Sequence, residues 1–290
     1  MVLVAILWGS AFPVTRLLLD EMPPLGAAAW RTLLAAGGVA AFAAVRGEFA
    51  WLWPERGDRL RLAVLALLGG ALFLIGMNLA IFLTGASITS FVVGTYPLLA
   101  VAVAAMLLRE PLGRRVVVAL ALASLGLVLL ARPGGAHVDL LGVLVALGAA
   151  LAFAMYLGLA RLWADPSRLP TIAIAFWLLV SSLLVTGALQ LLVDARALLP
   201  NLSLTGWTAL LWLALPASAL PHMLVIATLR RLPASRAAPF LLLIPISGAL
   251  ISAALLGERL DQVQLAGAGM ILLGIAAATL TRRVTVEPAP

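Results

Sequence analysis

Two stretches decide the fold: ASITSFVVGTYPLLAVAVAAMLLREPL, residues 86–112, and ASRAAPFLLLIPISGALISAALLGERL, residues 234–260. Laid over one another at an offset of 148, they pair Ala86-Ser87 with Ala234-Ser235, Pro97 with Pro245, Glu110 with Glu258 and Leu112 with Leu260. Further on, the same offset pairs Gly126 with Gly274. In each copy a proline inside an apolar run is followed thirteen residues later by the glutamate that closes the run. Any two Leu/Ala-rich helices align by composition, but proline, glutamate and the Ala-Ser pair are not compositional matches. Earlier in the copies the match is looser, with Arg16 and Arg161 related by an offset of 145.

Outward from these stretches, the 290 residues are 64% hydrophobic and 11% charged, against about 25% charged in an ordinary soluble domain. The chain lacks the polar surface to hold a globule of this size in water, so a soluble enzyme is excluded and lipid is its solvent. There is no cysteine, which excludes disulfides, thiolate metal sites and a cysteine nucleophile. All 19 basic residues are arginine, so P-loop, Schiff-base and Ser-Lys chemistries are excluded with lysine. Cutting at charges, prolines and glycine clusters gives ten apolar spans at 2–19, 26–45, 61–83, 86–107, 115–131, 138–160, 170–193, 206–229, 234–256 and 263–281. The first span has no basic segment before it and no small-residue cleavage site after it, so it reads as a retained helix and not a signal peptide.

The expected architecture is all-α and integral to the membrane: ten transmembrane helices as two five-helix repeats around a central cavity. Residues 1–131 form the first repeat, 132–283 the second, and 284–290 a cytoplasmic tail. Five is odd, so the second copy must enter the membrane upside down relative to the first, giving inverted repeats. With the amino terminus inside, fourteen arginines fall on the cytoplasmic side and three, Arg132, Arg196 and Arg259, outside. That bias puts both termini in the cytoplasm. It also accounts for the basic balance without a nucleic-acid partner. Trp51, Trp53, Trp163 and Trp207 fall at span ends, as an interfacial aromatic belt requires.

Trp8-Gly9-Ser10 with Phe12-Pro13, Arg31 early in the second span, the repeated Ala-Ser, Pro and Glu-x-Leu pattern, and the late Gly126 and Gly274 resemble the EamA-type drug/metabolite transporter superfamily. Within it the sequence is most similar to bacterial inner-membrane exporters of amino acids, particularly aromatic ones. The resemblance implies a basket of ten helices whose cavity is lined mainly by spans one, three, four, six, eight and nine.

All twelve acidic residues lie in loops or at span ends, so the intramembrane carboxylate that usually carries a coupling ion is missing. His222, beside Pro221 in span eight, is the one residue in a span that could take a proton. The expected substrate lining is Trp8, Ser10 and Phe12 in span one, Met77, Asn78 and Phe82 in span three, Thr89, Ser90 and Tyr96 in span four, Phe153 and Tyr156 in span six, and His222. Asn78 is either an interhelical contact or a substrate contact, since a mid-span amide must find partners. Pro97 and Pro245 are the expected hinges, as repeat-equivalent helix interruptions. Arg16 and Arg31 are expected to snorkel to the outer surface, Arg16 pairing with Asp20 four residues on; the alternative is that they attract a substrate carboxylate, at the outer exit and not at a central site.

No cofactor, metal site or catalytic residue is expected, because no paired acid and base, HExxH, GxSxG or P-loop is present. The reading is an inner-membrane exporter of small neutral metabolites, amino acids including aromatic ones, working by alternating access and facilitated transport. Its partners are that solute and membrane lipid, and a monomer suffices. The rival readings are a membrane-embedded enzyme, or a transporter of nucleosides, sugars or sugar phosphates.

Overall fold

The computed structural model describes residues 1–53, 56–108, 114–130, 139–163, 170–196, 199–221, 224, 240–241 and 243–279. Among these all regular structure is helical, the form in which an apolar segment pairs its own backbone without water. The helices are α1 (Val2–Leu19), α2 (Pro24–Val45), α3 (Arg59–Thr84), α4 (Ala86–Val93), α5 (Tyr96–Leu108) and α6 (Arg114–Leu130). They continue as α7 (Leu140–Trp163), α8 (Thr171–Asp194), α9 (Leu204–Ala219), α10 (Leu243–Leu256) and α11 (Gln262–Thr279). α1, α2, α3, α7 and α8 are each long and apolar enough to cross a membrane. The remainder are shorter apolar helices.

The fourth expected span is not one helix. It stops at Val93 and restarts at Tyr96, across Gly94 and Thr95. Pro97, with no N–H to give, sits in the first turn of the new helix, where none is needed. Two other spans widen into π geometry, α3 over Leu67–Leu72 and α9 over Leu215–Ala219. Pro216 removes a donor in the second, and the Ser218 hydroxyl donates to the Leu213 carbonyl at 2.7 Å. In the first, the Ser181 hydroxyl of α8 donates to the Ala66 carbonyl at 2.6 Å. These segments begin at positions 67 and 215, the same offset of 148 that relates the sequence motifs.

Glycines set the closest helix approaches. A Cβ on Gly126 of α6 would lie 2.6 Å from the Gly267 carbonyl of α11, and one on Gly274 would lie 2.7 Å from the Ala119 carbonyl of α6. Positions 126 and 274, and 119 and 267, are related by 148, so these two contacts are one contact made twice with the partners exchanged. A similar seam joins α1 to α10, where Gly9 faces Ser247, Ile244 and Gly248, while Gly248 also meets Ser90 of α4.

Carboxylates from loops hold two helix N-termini. Glu258, beyond α10, accepts from the Ala86 and Ser87 amides at 3.0 and 2.7 Å, while Gly85, at φ +86°, makes the tight turn from α3 into α4. Glu21, after α1, accepts from the Ser203 hydroxyl and amide, both at 2.7 Å, and Ser203 in turn caps α9 through the Gly206 amide. The Ser203 hydroxyl, then its amide, hold the Glu21 carboxyl below its ordinary value of 4.5. A lowered carboxyl stabilises the fold above its unfolded value and loses that contribution as pH falls through its folded one.

Two predictions follow from these contacts. Gly126→Leu should cost about 1–3 kcal/mol by forcing α6 and α11 apart, whereas Gly148→Ala, whose added Cβ meets nothing within 4 Å, should stay within about 1 kcal/mol of the parent. Thermal denaturation in detergent reads both. In the same assay Glu21→Gln should lower the melting temperature near neutral pH, and the difference from the parent should shrink as pH falls below the ordinary carboxyl value of 4.5 and the parent carboxyl takes up its proton.

Candidate functional site

Four aromatic rings from three helices meet between the spans. Phe153 of α7 is central, with its ring centroid 4.6 Å from Phe73 of α3, 4.9 Å from Tyr96 of α5 and 5.2 Å from Tyr156 of α7. The arrangement follows from local rules: Phe153 and Tyr156 share a helix face at i, i+3, and the restart of the chain at Tyr96 aims its ring inward. The π turn contributes as well, because Gly69 leaves room for Tyr156, whose Cγ would be 2.5 Å from a Cβ there. The result is a polarisable apolar surface with two hydroxyl-bearing rings.

Three of the expected lining residues, Tyr96, Phe153 and Tyr156, are thus brought together. Phe73 was missed, although its i, i+4 spacing to Met77 was a readable signal. Phe12 and Met77 are buried in the main hydrophobic cluster, with Trp8 and Phe73 packed against it. Ser10 is buried as a tie between helices, accepting from Trp212 Nε1 of α9 at 2.9 Å and donating to the Leu7 carbonyl. Thr89 and Ser90 are also buried, and their hydroxyls return to the Gly85 and Ser87 carbonyls. Asn78 makes the interhelical contact, its Nδ2 donating to the Pro24 carbonyl of α2 at 3.1 Å.

Phe82 does not join these rings. It is 51% exposed on the same side of α3 as exposed Leu72 and Leu79, the apolar stripe a membrane helix turns to lipid. His222 lies outside the described residues. Of the hinge candidates, Gly94, just before Pro97, packs against Pro245, with 3.2 Å between an added Cβ and the proline Cγ.

The arginines divide. Arg16 pairs with Asp20 at 3.4 Å, as the i, i+4 spacing requires. Arg31 does not snorkel: it is 7% exposed, its Nε donates to Ser218 Oγ of α9 at 2.9 Å, and its buried Nη1 has no partner. The physical reason is position. Arg31 lies seven residues into α2, about 10 Å along the axis, on the face that packs against α8 and α9.

The EamA-like transporter family matches residues 1–132 and again 140–280. The chain belongs to this family. It is a multi-pass membrane protein and a membrane transporter. A "Probable amino-acid metabolite efflux pump" of Salmonella typhimurium is 29% identical, over 94% of this chain and 91% of that protein. Its namesake in Escherichia coli is 27% identical over the same shares. "Protein PecM" of Dickeya dadantii is 28% identical over 75% of this chain and 70% of its own. A solved crystal structure superposes with a TM-score of 0.66 at 21% identity, covering 96% of this chain and 94% of the other, which shows the fold. The relatives with functional names are transporters or efflux pumps and not enzymes.

For an EamA-like transporter built this way, Phe153→Ala removes the ring that touches the other three. Each lost ring pair is worth about 0.5–1.5 kcal/mol, so solute KM should rise about tenfold if the solute stacks there. Phe82→Ala should leave transport within about twofold. Initial rates of transport in proteoliposomes check both.

Proposed function

We propose that this protein exports small neutral metabolites, amino acids including aromatic ones, across the bacterial inner membrane. In this reading it has ten spans in two inverted five-helix repeats, with both termini cytoplasmic. The observation that carries the substrate class is the Phe73, Tyr96, Phe153 and Tyr156 group, an apolar aromatic surface with hydroxyls, suited to a flat or apolar side chain. The names of the Salmonella and Escherichia relatives point the same way. The exchanged contacts of Gly126 with Gly267 and Gly274 with Ala119 support the inversion, since a pseudo-two-fold axis between α6 and α11 produces that reciprocity. The fourteen-to-three arginine bias supports the orientation.

The mechanism is alternating access by facilitated exchange. An ion drives accumulation only through a site whose occupancy biases two states, and no carboxylate lies in a span away from its ends to make one. Pro97 and Pro245, on segments that touch through Gly94, supply the hinges. In each half the proline frees the helix on one side of it to swing while the other side stays packed.

Purified protein in liposomes loaded with radiolabelled Phe, Trp, Met, Leu or Thr should release at least the aromatic members, with or without an imposed proton or sodium gradient. Release of sugar phosphates alone overturns the substrate reading. Gradient-driven uphill accumulation that disappears in His222→Ala overturns the uncoupled mechanism. A reporter fused after residue 283 should report the cytoplasm.

A further inference from the structure

The internal repeat exposes a charge that the scaffold itself does not require. α2 and α8 both start after a capping proline, Pro23 and Pro170. At the offset of 147 that relates those prolines, Trp30 corresponds to Trp177 and Arg31 to Leu178. Across the crossing, Gly70 of α3 corresponds to Ser218 of α9 at the offset of 148, each within its π segment. The contact of Arg31 with Ser218 and that of Leu178 with Gly70 are therefore one helix crossing made in both halves.

In the second half the crossing is closed without any charge. Leu178 is 7% exposed, its backbone lies against Gly70, and its side chain reaches Gly69. In the first half the same place buries a guanidinium, with one hydroxyl on Nε and nothing on Nη1. An unpaired buried cation is expensive, and no acid lies in a span away from its ends to neutralise it. The described carboxylates of the loops are engaged elsewhere: Asp20 with Arg16, Glu48 with Arg46, Asp58 with Arg61, Glu21 with Ser203, and Glu258 with α4. Asp139 and Asp194 accept from amides of their own turns, and Asp261 from the Gln264 amide. Among the described residues no carboxylate is therefore left to serve as the counter-charge.

We propose that Arg31 is the subsite for the carboxylate of the transported solute, with Ser218 positioning the guanidinium. Nε is spent on Ser218, which itself donates to the Leu213 carbonyl, so the fork's remaining edge is left for an anion. A guanidinium matches a carboxylate in a bidentate pair. The proposal rests on the reading of an amino-acid exporter for its choice of ligand.

Counterflow of radiolabelled Phe into proteoliposomes of the full chain tests it, with phenylalaninamide and phenethylamine as competitors that keep the ring and lack the carboxylate. On the wild type both should compete about tenfold more weakly than Phe, the effect of about 1.4 kcal/mol of lost pairing. Arg31→Gln should raise the KM for Phe about tenfold and leave competition by the two analogues unchanged, so the discrimination disappears. Arg31→Lys should restore part of it, because the charge returns without the fork. A wild type that treats Phe and its amide alike overturns the proposal. So does an Arg31→Gln protein that weakens all three equally while melting at lower temperature, which is a packing role. If no amino acid moves at all, the exporter reading falls separately. Arg31 is then decided by a mixed panel, in which wild type must prefer carboxylates over neutral solutes and Arg31→Gln must not.

Discussion

In hydrocarbon an unpaired amide or carbonyl has no water to turn to, at a cost of several kcal/mol each. Several departures from regular α geometry among the described residues are accordingly matched to a named partner, and some of those partners come from the other half of the sequence. The exposed N-terminus of α4 is closed by Glu258, 171 and 172 residues away. The N-terminus of α9 is closed by Ser203, itself held by Glu21 from the end of α1. The Ala66 carbonyl, at the entrance to the π segment of α3, is satisfied by Ser181 of α8. Breaks in the helices are thus among the points at which the two halves are joined by hydrogen bonds.

This arrangement separates stiff from adaptable parts. α6 and α11 touch backbone to backbone at two reciprocal places, so neither can slide without collision. α3 and α9 carry π segments at equivalent positions, and the fourth span is cut at Gly94-Thr95. A helix bends where its ladder is already interrupted. The aromatic group and Arg31 both adjoin such interruptions: Tyr156 lies over Gly69, Tyr96 follows the cut, and Arg31 binds the π segment of α9. The side chains proposed to meet a solute therefore sit on elements whose helical ladder is interrupted.

Much of the fold was legible because lipid admits few solutions. Apolar length, proline and charge placed most described helices within a few residues of their expected spans, the first span coinciding with α1, while the later part of the eighth span and the early part of the ninth lie largely outside the described residues. The meaning of the motifs was less legible. The Ala-Ser pair and the distant glutamate were visible as a repeat, but their chemistry is a cap that links residues far apart in sequence, which spacing within one copy does not reveal. Glu110 and Ala234-Ser235, the other copy of that set, lie outside the described residues. Site residues were partly legible. Tyr96, Phe153 and Tyr156 were chosen for ring and depth, and Phe82 by the same criteria, yet only helix rotation separates the first three from the fourth. Arg31 was misjudged because distance along the helix was taken as distance from water, while packing against α8 and α9 decides it.

Repetition also shows where the two halves cease to be equivalent. At the offset of 145 that fits α1 to α7, Phe153 and Tyr156 correspond to Trp8 and Ala11, while at 148 Phe73 and Tyr96 correspond to Pro221 and Ile244. The four-ring group therefore has no counterpart among the residues that the repeat relates to it. Arg31 is likewise replaced by Leu178. A duplicated scaffold needs matching backbones at its seams, and the glycine contacts supply them. It does not need matching side chains where a solute lies, since an asymmetric molecule such as an amino acid presents its ring and its carboxylate in different directions. Symmetry in the glycines and asymmetry in the rings and the buried cation are the two demands met by one duplicated sequence.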